Sequence, residues 1–595
     1  MMNRKILWLV VSSLMVLSLV MAACGPAEEE GEEEGEVAEE EVVEDTGPKY
    51  GGTITYRLAS DPGNFDSASQ PRGGALVGTV YQQFMGSDWL RGPADQGVSN
   101  FAAGAGSIED SFGPQIAESW EMPEKGVWIL NIRQGVHWQP VDSEAGDLMG
   151  GRELTVDDII YGFDYLFNRD GNSPESWIVR GQSAVAESAT IEKTGPWQVT
   201  IRTPEEVMTA FAWVIQGAGF YRVYPPEVIA KYGDVSKWEN AVGTGPYMLL
   251  DYVEGSQFLF EKNPIYWEKD PVGPGEGNQL PYADTLTQLI IPDLSTTYAA
   301  LRTGKLDLQS AVTLTDAQTQ WQTTPELEYL QYGTGMYGIG MAQDFEDNPY
   351  SDFRVRQALM LATDFEAIQR DYYDGEAEMI AWPANPSLIF YESLDELPQS
   401  VQELYQYNPE RAKELLTEAG YPDGFKTSII VQSTPERIDE LSIIKDMWAK
   451  VGVEVVLNIK ESGAYRAFTG AGVPYEEMLY RVFGGSYFNM HLYQAFTRGT
   501  AILNVSHINN PPGTDPYLEE LFLEQEEYLF VDMPRVYEAV KKVNRYVMEK
   551  AFVIPLPVPY RYSFWWPWLK NYYGQGTGFI RYAWIDQDMK KSMGY

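Results

Sequence analysis

Nucleophiles and metal ligands are scarce in this chain of 595 residues, which holds one cysteine, Cys24, and three histidines, His137, His491 and His507. Covalent catalysis needs a nucleophile with a base in hydrogen-bond reach, and no G-x-S-x-G, H-E-x-x-H or Cys–His arrangement supplies one. Acids number 86, so neighbouring pairs such as Asp157-Asp158 and Glu205-Glu206 arise by abundance and carry no signature of acid–base work. A metal site is poorly provided for as well. His491 and His507 could meet in space, but they offer two nitrogens where borderline metals favour more. Gly243-Thr244-Gly245-Pro246 lacks the lysine of a phosphate-binding loop, so a tight turn is expected there. Aromatic residues, by contrast, make up 13% of the chain, with 17 Trp and 38 Tyr. That exceeds what a core needs and suits a large lined cavity. The residue types point to recognition rather than catalysis, and no cofactor is implied.

The single cysteine has its own context. Arg4 and Lys5 precede an apolar run from Ile6 to Val20, shorter than the roughly 20 residues a spanning helix needs, so 1–23 reads as a cleaved export signal. Val20-Met21-Ala22-Ala23-Cys24-Gly25 resembles the bacterial lipobox, with Met21 where leucine is usual, and makes Cys24 the expected site of lipid attachment. A thiol committed to lipid leaves none for a disulfide or for catalysis. Residues 24–48 then carry twelve acids between Glu28 and Asp45 with no base or aromatic, the composition of a disordered, self-repelling tether. The formal charge is −43, and about −33 remains on the rest of the chain once signal and tether are removed. Such a surface repels phosphate backbones, so nucleic acid is not an expected partner.

The elements that must position any site are clearest between Asn408 and Lys460. Asn408 is an N-cap with Pro409 at the first helical position, and Ala412, Leu415, Leu416 and Ala419 form one apolar face closed by Gly420. A strand over Lys426–Ser433 follows, then a helix from Pro435 to about Lys450 with Ile438, Leu441, Met447 or Trp448, and Val451 facing inward. Gly452 ends it, and Val453–Ile459 is the next strand, so a parallel strand–helix–strand unit is expected. Helix gives way to strand again across Tyr298–Leu308. The fold class is α/β with mixed sheets.

Seven segments in order resemble the family 5 extracellular solute-binding proteins. They are Pro114–Trp120, Ile132–Trp138, Leu154–Ile159, Asn240–Tyr247, Lys262–Trp267, Asp352–Leu359 and Tyr407–Lys413. The resemblance implies a type II periplasmic-binding-protein fold, two lobes closing on a ligand with an extra inserted domain. Domain I would hold 49–79, 192–300 and 552–595, domain II 80–191, and domain III 301–551. It further implies a monomeric subunit, lipid-anchored outside the cytoplasm, that delivers a small solute, foremost a peptide, to the permease of an ABC importer. Oligosaccharide or another neutral solute, and less so a nickel complex, are the alternatives on this scaffold. Arg356 is open to two readings, a carboxylate ligand or a salt bridge anchoring the domain. Peptide-binding relatives place an aspartate soon after a G-W in domain III to pair with the peptide ammonium, yet Phe483–Met490 contains no acid, and Ala342 replaces a usual asparagine. The ligand is expected against Phe65 and Asp66 after the first strand, Thr53–Leu58, and against Gly485, Ser486, Tyr487, Phe488 and Asn489 opposite, with Trp382 alongside.

Overall fold

Alternating polar and apolar residues make Thr53–Leu58 a strand, with Ile54 and Tyr56 turned inward. It pairs in parallel with Thr285–Ile290, whose Leu286, Gln288 and Ile290 alternate in the same sense. Around this pair the computed structural model builds a seven-stranded sheet, in the order 328–332, 561–565, 308–312, 53–58, 285–290, 257–262, 247–253. A five-stranded sheet follows the order 453–460, 425–432, 478–483, 336–341, 553–555, and a four-stranded one the order 117–124, 127–132, 198–202, 190–195. The structure describes residues 47–62, 64–66, 68, 76, 78–102, 112–167, 183–212, 222–345, 347–386, 388–469, 475–483, 514–529 and 531–595. Cys24, Gly485, Ser486, Tyr487, Phe488, Asn489, His491 and His507 lie outside them.

The strand–helix–strand unit forms as its sequence dictates. Asn408 caps the helix Pro409–Glu418 by accepting from the Arg411 amide at 3.0 Å, and Ala412, Leu415 and Leu416 are buried. The strands Phe425–Gln432 and Val453–Lys460 run parallel over eight paired positions, joined by the helix Pro435–Ala449. That helix is turned slightly from expectation. Ile438 is only partly buried, and the inward face is Glu440, Leu441, Ile444 and Trp448. The long helix Met533–Glu549 buries Val536 and Val540 with the four-stranded sheet and Val543 and Val547 with the five-stranded one, so one apolar stripe serves two cores.

Sheet membership cuts across the expected segments. Thr190–Gly195 and Gln198–Arg202 complete the four-stranded sheet, which therefore runs past Ile191, while Leu308–Val312 and Glu328–Tyr332 belong to the seven-stranded one. The glycine-rich segment also works differently from a simple turn. A Cβ on Gly243 would lie 2.0 Å from the Val80 carbonyl oxygen, and one on Gly245 2.3 Å from that of Thr79, so both glycines permit close backbone approach. Arg356 is buried and takes neither expected role. Its guanidinium donates to the carbonyls of Lys550, Tyr350 and Ser351 at 2.9–3.1 Å and lies over the Phe552 ring. Among the described residues no helix is long and apolar enough to cross a membrane.

Candidate functional site

Register decides where the two large sheets face each other. In the seven-stranded sheet the strands 53–58, 285–290 and 308–312 run parallel, so Leu58, Ile290 and Val312 end at one edge. The strand Arg561–Trp565 is antiparallel to 308–312 and to Glu328–Tyr332, so Arg561 and Tyr332 stand at that edge too. In the five-stranded sheet, 425–432, 453–460 and 478–483 are mutually parallel. Met336–Met341 runs against 478–483 with Met336 opposite Phe483, and Gly338 faces Pro555. The chain therefore passes between sheets from Tyr332 to Met336 and returns from Pro555 to Arg561. Both links join edges at which parallel strands end, the place where loops and helix N-termini of α/β domains gather ligands.

A cavity of about 100 Å³ lies at these links. Tyr337, Tyr373, Arg437, Glu440, Tyr480 and Arg561 contribute to its wall. Tyr337 and Tyr480 come from adjacent strands and stack at 5.4 Å with 19° between ring planes. Arg437 lies over the Tyr337 ring at 4.5 Å, donates to Gln432 at 2.6 Å and also to the Tyr337 hydroxyl. Glu440 is 2% exposed, and its carboxylate accepts from the Tyr373 hydroxyl at 2.8 Å and from that of Tyr480. Burial pushes the Glu440 carboxyl up to about 7, and burial followed by the Glu440 charge pushes both phenols far above their usual range. Glu436 meets Arg561 at 3.3 Å.

A second cavity, of about 340 Å³, opens at the corresponding edge of the seven-stranded sheet and is lined by Arg57, Leu58, Gln288, Gln309, Ser310 and Thr577 among others. Tyr56 and Gln288 sit opposite each other in register, and the Gln288 amide donates to the Tyr56 hydroxyl at 2.6 Å. Arg57 donates to the carbonyls of Ile291 and Pro292, which holds its head at the strand end. Neither cavity places a nucleophile beside a base. Both present charged heads and phenols to whatever enters, and the second adds the Gln288 and Gln309 amides, which equips them to hold a polar solute.

The expected ligand residues that the structure describes are buried. Phe65 is 7% exposed and packs on Tyr252 at 5.2 Å and Phe258 at 6.0 Å. Asp66 is fully buried, accepting from the Tyr165 hydroxyl at 2.6 Å and the Ala68 amide at 2.8 Å. Trp382 is 2% exposed, within the core of the five-stranded sheet. None of the three lines either cavity above. The strand Met478–Phe483 ends at the linked edges, and Gly485–Asn489 lie outside the described residues. His137 lies with its Nδ1 2.9 Å from the Gly151 carbonyl and lines neither cavity. Sequence reasoning missed Arg437 and Glu440. One signal was legible: Glu440 shares the helix face of Leu441, Ile444 and Trp448, and an acid on an apolar stripe calls for a special environment.

Comparison with known proteins agrees with this geometry. The family model for bacterial extracellular solute-binding proteins, family 5, matches residues 111–485. Heme-binding protein A of Haemophilus influenzae is 28% identical over 454 residues, covering 73% of this chain and 74% of the relative. The dipeptide-binding protein of Escherichia coli is 26% identical over 370 residues, 59% of this chain and 64% of the relative. The periplasmic binding protein DppA of Helicobacter pylori, solved with the peptide STSA, superposes with a TM-score of 0.69 at 19% identity, covering 91% of this chain and 99% of that one, and so shares the fold. Two linked α/β sheets, a cavity at the links and a family match over more than half the length lead to one assignment: the chain belongs to the bacterial extracellular solute-binding proteins of family 5.

Proposed function

We propose that this protein captures peptides between its two large sheets and presents them to the permease of an ABC importer. The observation that carries this reading is the cavity at the inter-sheet links, where Arg437 and Glu440 offer opposite charges a few residues apart. A peptide, with charged ends and a polar backbone between them, complements such a wall. Relatives in Escherichia coli and Bacillus subtilis are named for dipeptide and oligopeptide binding, which supports the same solute class. The seven-stranded and five-stranded sheets act as jaws, and the four-stranded sheet is the core of the added domain. Lipid on Cys24 and the acidic 24–48 tether hold the jaws outside the cytoplasm, near the permease.

One observation favours a second reading, heme capture: the Haemophilus influenzae relative matched over 73% of this chain is named for heme. Native mass spectrometry of the full chain, purified in detergent and offered a tetrapeptide library or hemin, separates the two. Peptide adducts with a raised melting temperature, as linkage demands, are the expected result. Hemin adducts without peptide adducts would replace the peptide reading.

A further inference from the structure

The strand Val453–Lys460 closes one side of the five-stranded sheet, and among the described residues no strand pairs with its outer side. An unpaired edge presents a row of backbone donors and acceptors that invites another strand. Proteins blunt such edges by keeping them short, bulged, interrupted by proline or lined with repelling charge. The other edges of the three large sheets are blunted in this way. Residues 117–124, 190–195 and 247–253 carry register shifts against their neighbours, while 328–332 spans five residues and 553–555 three. Val453–Lys460 lacks these guards. It is eight residues long, contains no proline and pairs with Phe425–Gln432 without a shift. Val456 is 57% exposed on it and Ile459 48%. Its two charges, Glu454 and Lys460, are of opposite sign and stand near opposite ends, so an antiparallel copy of the strand would meet attraction.

We propose that this edge pairs antiparallel with the same edge of a second copy of the chain, about a two-fold axis at Leu457. The charges select that register. With Leu457 opposite its own counterpart, Glu454 of each copy faces Lys460 of the other, twice by symmetry. Lys460 forms no ion pair among the described residues, and Glu454 meets Lys426 at 2.9 Å through one oxygen, which leaves the other to accept. An axis at Val456 would put Glu454 opposite Asn458 and Lys460 opposite Gly452, and one at Asn458 would put them opposite Ser462 and Val456, so neither pairs the charges. Alternation sets Val455, Leu457 and Ile459 on the other face of the strand. There the exposed Ile459 comes to lie beside the buried Val455 of the second copy, and the apolar face under the helix Pro435–Ala449 continues across the axis. The links to the seven-stranded sheet leave from the strands 336–341 and 553–555, at the far side of the strand order, so both pairs of jaws stay free to move. The pairing is independent of which solute is captured, and it adds a second copy where the family resemblance implies a monomer.

The test uses the full chain in detergent and two readouts. One strand makes a small interface, so sedimentation velocity should show a monomer at about 1 µM and a dimer appearing above about 10 µM. Lys460→Glu sets acids opposite acids on both sides of the axis and should weaken the dimer about tenfold, while Glu454→Lys combined with Lys460→Glu should recover it. These variants also separate strand pairing from two chains sharing a micelle, which charge reversal leaves unchanged. The second readout is cross-linking. Residues directly opposite in an antiparallel pair have Cα atoms about 4.5–5.5 Å apart, within the span of a disulfide. Leu457→Cys should therefore cross-link to itself under mild oxidation, whereas Val456→Cys, displaced from its own counterpart by two residues, should not. The wild type, whose only cysteine is Cys24, is the control. A chain that stays monomeric to about 200 µM, a dimer indifferent to Lys460→Glu, or cross-linking through Val456→Cys in place of Leu457→Cys overturns the pairing.

Discussion

Replacing Glu440 by glutamine should make the ligand-free protein more stable at high pH and leave it little changed at low pH. Burial raises the Glu440 carboxyl from its ordinary 4.5 to about 7. The folded chain therefore holds this proton more tightly than the unfolded chain. For a raised folded value, the associated stability is complete below the unfolded pKa and is lost as pH rises through the folded one. That rise from 4.5 to about 7, at 1.36 kcal/mol per tenfold change in proton affinity, gives roughly 3 kcal/mol lost between about pH 4.5 and pH 7. Glutamine has no such titration and can still accept from one phenol while donating to the other. The stability difference between variant and wild type should thus grow by about 3 kcal/mol from pH 4.5 to pH 8. Hydrogen exchange at the amides of Pro435–Ala449 and Met478–Phe483 reads this locally, without requiring a large chain to unfold in one step. Comparing the two proteins at each pH cancels the pH dependence of intrinsic exchange. A difference that stays flat across this range would refute the burial argument, because it would mean that Glu440 titrates alike in both states.

Three further outcomes are expected. Asp307 is fully buried and accepts from the Thr55 amide, Trp568 and Lys590 at 2.7–2.8 Å, so Asp307→Ala should destabilise the seven-stranded sheet by about 3 kcal/mol, seen as a lowered urea midpoint. Gly245→Ala puts a methyl 2.3 Å from the Thr79 carbonyl oxygen and should lower stability by about 2 kcal/mol in thermal melts, while Gly255→Ala, with φ +70° and open space, should lose about 1 kcal/mol from backbone strain. Cys24→Ala should release the protein from the membrane fraction or leave it unprocessed, and membrane retention of the variant after its signal has been removed would overturn the anchor assignment.

Local rules made part of this protein legible without a structure. The strand Thr53–Leu58, the capped helix Pro409–Glu418 and the parallel pair around Pro435–Ala449 depend on neighbours within a few residues, and alternation, an asparagine cap and glycine stops state those neighbours outright. The ordered motifs likewise pointed to the family that the comparisons establish. Tertiary structure alone decided the rest. Backbone hydrogen bonds between distant strands put Leu308–Val312 beside Thr53–Leu58, and no local pattern specifies that choice. The same holds for the site. Asp66 accepts from Tyr165, 99 residues away, and Glu440 from Tyr373 and Tyr480, 67 and 40 residues away. A carboxylate's charge state follows from burial and from partners that the fold delivers, so the sequence could supply Glu440 but only the packed strands and helix made it a buried acid at the cavity.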